Sequence, residues 1–73
     1  MNINRPFDLL NGAMGNPVLV KLKGERQLRG KLKAFDQHMN LVMEETEAME
    51  DNEVKEKIGT VIVRGDNIIY VSP

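Results

Sequence analysis

From residue 17 onward the apolar positions return every second residue, the period of a strand with one face in a core and one in water. Val18, Val20 and Leu22 flank Leu19, Lys21 and Lys23; Lys23-Gly24-Glu25-Arg26 supplies a turn; Leu28, Gly30, Leu32 and Ala34 then alternate with Arg29, Lys31, Lys33 and Phe35. That pattern predicts a hairpin with one wet face. A polar break at Asp36–His38 precedes a third strand, from Met39 to about Thr46. An acidic loop around Met49-Glu50-Asp51-Asn52 leads to a fourth, from roughly Val54 to Val63. Arg64-Gly65-Asp66-Asn67 reads as a tight turn, and Ile68-Ile69-Tyr70-Val71 as a last strand that is apolar on both faces and so needs cover on both. The opening stretch from Asn4 to Asn11 has a different grammar. Asn4 can cap a helix, Pro6 suits its first turn, Asp8 sits where the helix dipole favours an anion, and Gly12 and Gly15 end it. So short a helix needs Phe7, Leu10 and Met14 packed onto the sheet. Gly30 in mid-strand marks a sharp bend or a close backbone approach. Together these elements predict an all-β fold with a short N-terminal helix, a strongly bent five-stranded antiparallel sheet closing into a small barrel.

An apolar last strand without lysine or internal proline is a poorly protected edge. The difficulty disappears if the fourth strand of one copy pairs with the fifth strand of the next, a head-to-tail contact that repeats until the rotation closes. Length points the same way. The chain of 73 residues makes a single domain, residues 1–73, whose core buries only about 60 % of the surface of the unfolded chain. It has no cysteine for disulfides and no Cys/His cluster for a structural metal, which leaves oligomerisation as the stabiliser. No apolar run approaches the ~20 residues of a membrane helix, so we expect a cytoplasmic protein without a membrane partner. A net charge of −1 argues against a monomer gripping duplex DNA by general electrostatics. The charges are segregated: Lys21, Lys23, Arg26, Arg29, Lys31 and Lys33 lie in the first half, and Glu44, Glu45, Glu47, Glu50, Asp51, Glu53 and Glu56 in the second. Either these are solvated hairpins, or they are complementary charges on neighbouring subunits.

No catalytic arrangement stands out, and we expect no enzyme and no cofactor. His38 is the single histidine, Asp36 two residues away has no nucleophile beside it, and no phosphate-cradling glycine motif follows a strand. The two turns do hold a kit for an unpaired base. His38 offers a flat ring and Arg64 a flat guanidinium for stacking, while Asn40 offers a donor and an acceptor that match the edge of uracil. Asp36 and Asp66 are placed to orient Asn40 and Arg64. Taken singly, each residue has a plainer reading: Asp36 and Asn40 form turns, Gly65-Asp66 is ordinary hairpin chemistry, and Arg64 is a solvated charge.

The stretch from Gly30 to Leu41, GKLKAFDQHMNL, resembles the first motif of the Sm/Lsm family, with its glycine, aromatic, Asp, Met and Asn positions filled. The stretch from Ile58 to Ile68, IGTVIVRGDNI, resembles the second, an apolar run followed by Arg-Gly-Asp. Two motifs in order, separated by an acidic segment, are far more specific than either alone. The resemblance implies an N-terminal helix and a five-stranded barrel, assembled through strands four and five into a homo-oligomeric ring. Seven subunits are expected, with six the alternative. It also implies loops lining a central pore that hold U-rich single-stranded RNA, one nucleotide per subunit, in RNA processing or ribonucleoprotein assembly. Carried over by position, His38, Asn40 and Arg64 form the base pocket, Asp36, Gly65 and Asp66 shape it, and Met39 belongs to the core. The Tyr-Lys-His type of second motif found in the bacterial branch is missing, and a complete pocket in one compact subunit looks like the archaeal members. Two other readings stay open: a ring that docks proteins, with RNA contact incidental, and a monomeric OB-like single-strand binder. The second would expose several aromatics, where this chain has Phe7, Phe35 and Tyr70. Asn4 and Arg5 could add an RNA contact near the helix or simply begin it.

Overall fold

The structure, a computed structural model, describes residues 6–73. Helix α1 (Pro6–Ala13) is followed by β1 (Pro17–Leu22), β2 (Arg26–Phe35), β3 (Leu41–Glu50), β4 (Glu53–Val63), a 3-10 turn over Gly65–Asn67, and β5 (Ile68–Ser72). The strands form one antiparallel sheet in the order β4-β3-β2-β1-β5, so the first hairpin in the chain lies at its centre and β4 and β5 are its two edges. Alternation in β1 and β2 buries Val18, Val20, Leu28 and Leu32, which meet Leu41 and Met43 of β3 and Leu10 and Ala13 of α1 in one core. Each of the valine, leucine and methionine side chains among them, fully buried, contributes about 1.5–3 kcal/mol. Asn4 and Arg5, proposed above as cap and second RNA contact, lie outside the described residues.

The helix runs through Gly12 to Ala13, not merely to Asn11, because Ala13 falls three residues after Leu10 on the buried face. Met14, expected to pack onto the sheet, is past the helix end and 40 % exposed. Two bonds then tie this corner to the sheet: Gly15 N–H donates to the Leu32 carbonyl, and Leu32 N–H to the Asn16 carbonyl.

The bend is built along a line that crosses three strands. Pairing of β2 with β3 slips between Arg29 and Lys31, and pairing of β3 with β4 slips on both sides of Thr46, which faces Gly59. A Cβ on Gly30 would stand 2.9 Å from both the Glu44 carbonyl oxygen and Thr46 Oγ1, so the close backbone approach expected there is present. Glu45 and Gly59, with φ of 52° and 77°, complete the kink. A further slip between Leu32 and Ala34 reverses the alternation at the end of β2. Ala34 therefore points to solvent and Phe35, expected on the wet face, turns to the core, where its ring lies 5.5 Å from that of Phe7.

The acidic segment is strand, not loop. β3 continues to Glu50, and only Asp51 and Asn52, both with positive φ, make the two-residue turn into β4. Its carboxylates meet the basic residues of β2 within the same chain: Arg29 with Glu47 at 3.4 Å, Lys31 with Glu45 at 3.3 Å, Lys33 with Glu44 at 3.6 Å. Six of the segregated charges are thus the two rails of one intramolecular ladder, and for these complementarity between subunits is not needed as an explanation.

Candidate nucleic-acid interface

Asp36 ends β2 and cinches the next four residues into a closed loop. Its Oδ1 accepts from the backbone N–H of His38 at 2.8 Å and of Asn40 at 3.1 Å. Its carbonyl accepts from Met39 N–H, and its own N–H donates to the Asn40 carbonyl. This Asp-led turn forces Met39 into the left-handed region, φ 64°, so Met39 belongs to the loop and β3 starts only at Leu41. A left-handed non-glycine residue costs on the order of 1–2 kcal/mol. The half-buried Met39 side chain, packed against the core, offsets it.

The second loop is seated directly on the first. Gly65 lies against the His38 carbonyl oxygen and the Met39 carbonyl group so closely that no Cβ fits there. Glycine is required at 65 by this contact, and its φ is not among the positive ones. The same approach lets Gly65 N–H donate to Asn40 Oδ1 at 2.8 Å. At its other end the Asn40 amide donates from Nδ2 to Asp36 Oδ2 at 3.0 Å. A primary amide has two N–H donors and two acceptor sites. Asn40 therefore keeps one of each, on an amide held at both ends.

Arg64 and Asp66 flank this contact, joined by an ion pair of 3.2 Å with both side chains largely exposed. His38 is exposed as well. The structure thus brings Asp36, the His38 backbone, Asn40 and Gly65 into direct contact, and places Arg64 and Asp66 on either side of Gly65. The Asp36 carboxyl is held below its ordinary range, first by the Asn40 side-chain amide and then by the N–H groups of Asn40 and His38, with partial desolvation opposing them.

One feature of this end was not visible along the chain. Beside the two loops lies an apolar groove of about 250 Å³, in which Met39 and Gly65 face Leu9, Ile69 and Tyr70. The signal that pointed toward it was the two-sided apolar character of the last strand. Among the described residues no helix is long and apolar enough to cross a membrane.

Comparison with known proteins agrees with this architecture. The model of the LSM domain matches residues 8–73. A protein named as snRNP Sm-like in Methanosarcina barkeri is 54 % identical over 70 residues, covering 96 % of this chain and 97 % of that one. Among solved structures, the Sm protein of Pyrococcus abyssii in complex with a uridine heptamer superposes with a TM-score of 0.91 at 37 % identity, covering 96 % of this chain and 99 % of the other. The SmAP1 heptamer of P. aerophilum does so with a TM-score of 0.88 at 40 % identity, covering 99 % and 96 %. A bent five-stranded sheet behind a short helix, with two edges free and two loops interlocked, defines an Sm-type fold. The chain belongs to the LSM family, and the relatives named here are archaeal.

Proposed function

We propose that this chain, one domain over residues 1–73, is a subunit of a homo-heptameric ring that binds U-rich single-stranded RNA at its pore, one nucleotide per subunit. The observation that carries this is the Asn40 amide, fixed by Asp36 Oδ2 on one side and Gly65 N–H on the other. Its remaining donor and acceptor match the uracil edge, where an N–H lies beside a carbonyl. His38 and Arg64 sandwich the base, stacking that tolerates any base, so preference for uridine rests on Asn40. Asp66 steadies Arg64 through its ion pair. The role is binding without chemistry, in RNA processing or ribonucleoprotein assembly in the cytoplasm.

The free edges support the ring. Ile62 on β4 is 74 % exposed, and Ile69 and Tyr70 on β5 are 56 % and 46 % exposed. Pairing β4 of one copy with β5 of the next covers these side chains and completes both backbone ladders. Seven is the subunit number of the P. aerophilum relative, and a uridine heptamer is the ligand of the Pyrococcus one. Linked sites also explain how a chain of net charge −1 holds RNA, since avidity multiplies a weak single pocket. The test is binding of oligo(U) against oligo(C) by wild type and Asn40→Ala. Loss of the preference for U is expected; an unchanged preference removes Asn40 from its role, and a wild-type ring that takes up no oligonucleotide favours the protein-docking scaffold.

A further inference from the structure

The geometry points to Met39 as a positioning residue that couples ring closure to base recognition; this rests on the base pocket and ring proposed above. Met39 has two faces. Its backbone, at φ 64°, lies between His38 and Asn40 and carries both; its side chain lines the apolar groove formed with Leu9, Leu10, Ile69 and Tyr70. Gly65 repeats the arrangement, lining the groove while touching the Met39 carbonyl and donating to Asn40 Oδ1. Two links, in contact with each other, therefore run from one groove to one amide.

The groove's occupant is a second copy of this chain. It opens beside the β5 edge, whose ladder is unpaired on that side, and the β4 edge of another copy offers the matching unpaired strand with Ile62 projecting from it. In an isolated subunit Met39 packs against the core while the groove it lines stays open, and a left-handed residue persists only where its surroundings hold it there. Filling the groove adds packing to the hydrogen bonds that already hold Asn40, and tightens that hold before RNA arrives. Each pocket is thus completed by its neighbour through packing, without any residue of the neighbour touching the base. By linkage the effect is reciprocal: a base in the pocket strengthens the adjoining subunit contact.

Uridine monophosphate separates this from avidity, because it fills one pocket and cannot bridge two subunits. Its binding, and that of cytidine monophosphate, is measured for the full-length wild type, Met39→Leu, Met39→Ala and the edge variant Ile62→Asp, with native mass spectrometry reporting assembly. Expected results are weaker binding of uridine monophosphate by the Ile62→Asp monomer, by about fivefold or more, and a Met39→Ala ring of unchanged subunit number that no longer prefers uridine. Met39→Leu, which still fills the groove, behaves as wild type. Uridine monophosphate also raises the urea concentration at which wild-type rings dissociate. A merely structural Met39 would lower thermal stability but leave the preference intact. Equal affinity in ring and monomer, or a Met39→Ala ring that still prefers uridine, overturns the coupling and leaves the base pocket standing. A wild-type ring blind to both uridine monophosphate and oligo(U) overturns the pocket, and the coupling with it. Should Met39→Ala fail to fold, wild type against Ile62→Asp, together with the wild-type urea shift, decides.

Discussion

The two ends of β2 use the same kinds of residue for different purposes. Along its length, Arg29, Lys31 and Lys33 meet carboxylates of β3 in pairs of 3.3–3.6 Å, one contact each, with most of these side chains open to water. At its C-terminal end a single aspartate, Asp36, takes three donors at 2.8–3.1 Å and a fourth through its carbonyl, and every one of those donors lies within four residues. Exposed pairs with one long, mobile partner contribute little. A short carboxylate closing its own loop loses almost no side-chain freedom in doing so. What distinguishes the functional end is therefore connectivity rather than charge: the loop is tied to itself, and then tied across 25 residues to Gly65.

The harshest way to break that distinction is Gly65→Ala. The new methyl group has no room beside the His38 carbonyl and Met39, so the two loops must separate. We expect a loss of about 1–3 kcal/mol or more in urea unfolding, together with loss of oligo(U) binding. Arg64→Ala leaves the interlock intact and removes one stacking surface. Affinity for oligo(U) and oligo(C) alike should fall, by about 1–3 kcal/mol per base, in fluorescence anisotropy titrations. Asp36 tests the loop from within, by pH. Its folded carboxyl titrates below the unfolded value, so the stabilisation it gives is complete above about pH 3.9 and is lost as the pH falls through the lower folded value. The NMR signals of the Asn40 side-chain amide and Gly65 N–H should hold still down to that point and move only beneath it. The ladder supplies the smallest effect. Lys31→Ala, which removes the partner of Glu45, should cost less than about 1 kcal/mol, should be masked by salt, and should leave RNA binding unchanged.

The same contrast explains what could be read along the chain. Alternation located β1 and β2 and their buried side chains, because a strand with one wet face writes its period directly into sequence. It failed at Phe35, since a bulge at Lys33 shifts the period by one and is held in place by the partner strand. It failed again at Met39, taken for the start of a strand, because a left-handed residue is stabilised by Asp36 and by packing rather than by its own propensity. The acidic run looked like a loop because its counter-charges lie on another strand, up to 18 residues away. The site was legible only in part. Asp36, Asn40 and Gly65 could be picked out as turn residues and then by family resemblance, yet the bond from Gly65 to Asn40 has no local signature, and the apolar groove beside them was signalled only by the two-sided apolar character of the last strand.

Most depends on whether a ring of these subunits prefers uridine. Native mass spectrometry of the wild-type protein with a short oligo(U), against oligo(C) and oligo(A) of equal length, tests it most directly. A closed heptamer that takes up oligo(U) in preference to both others is expected. A monomer, or a ring that takes up all three equally, would contradict it.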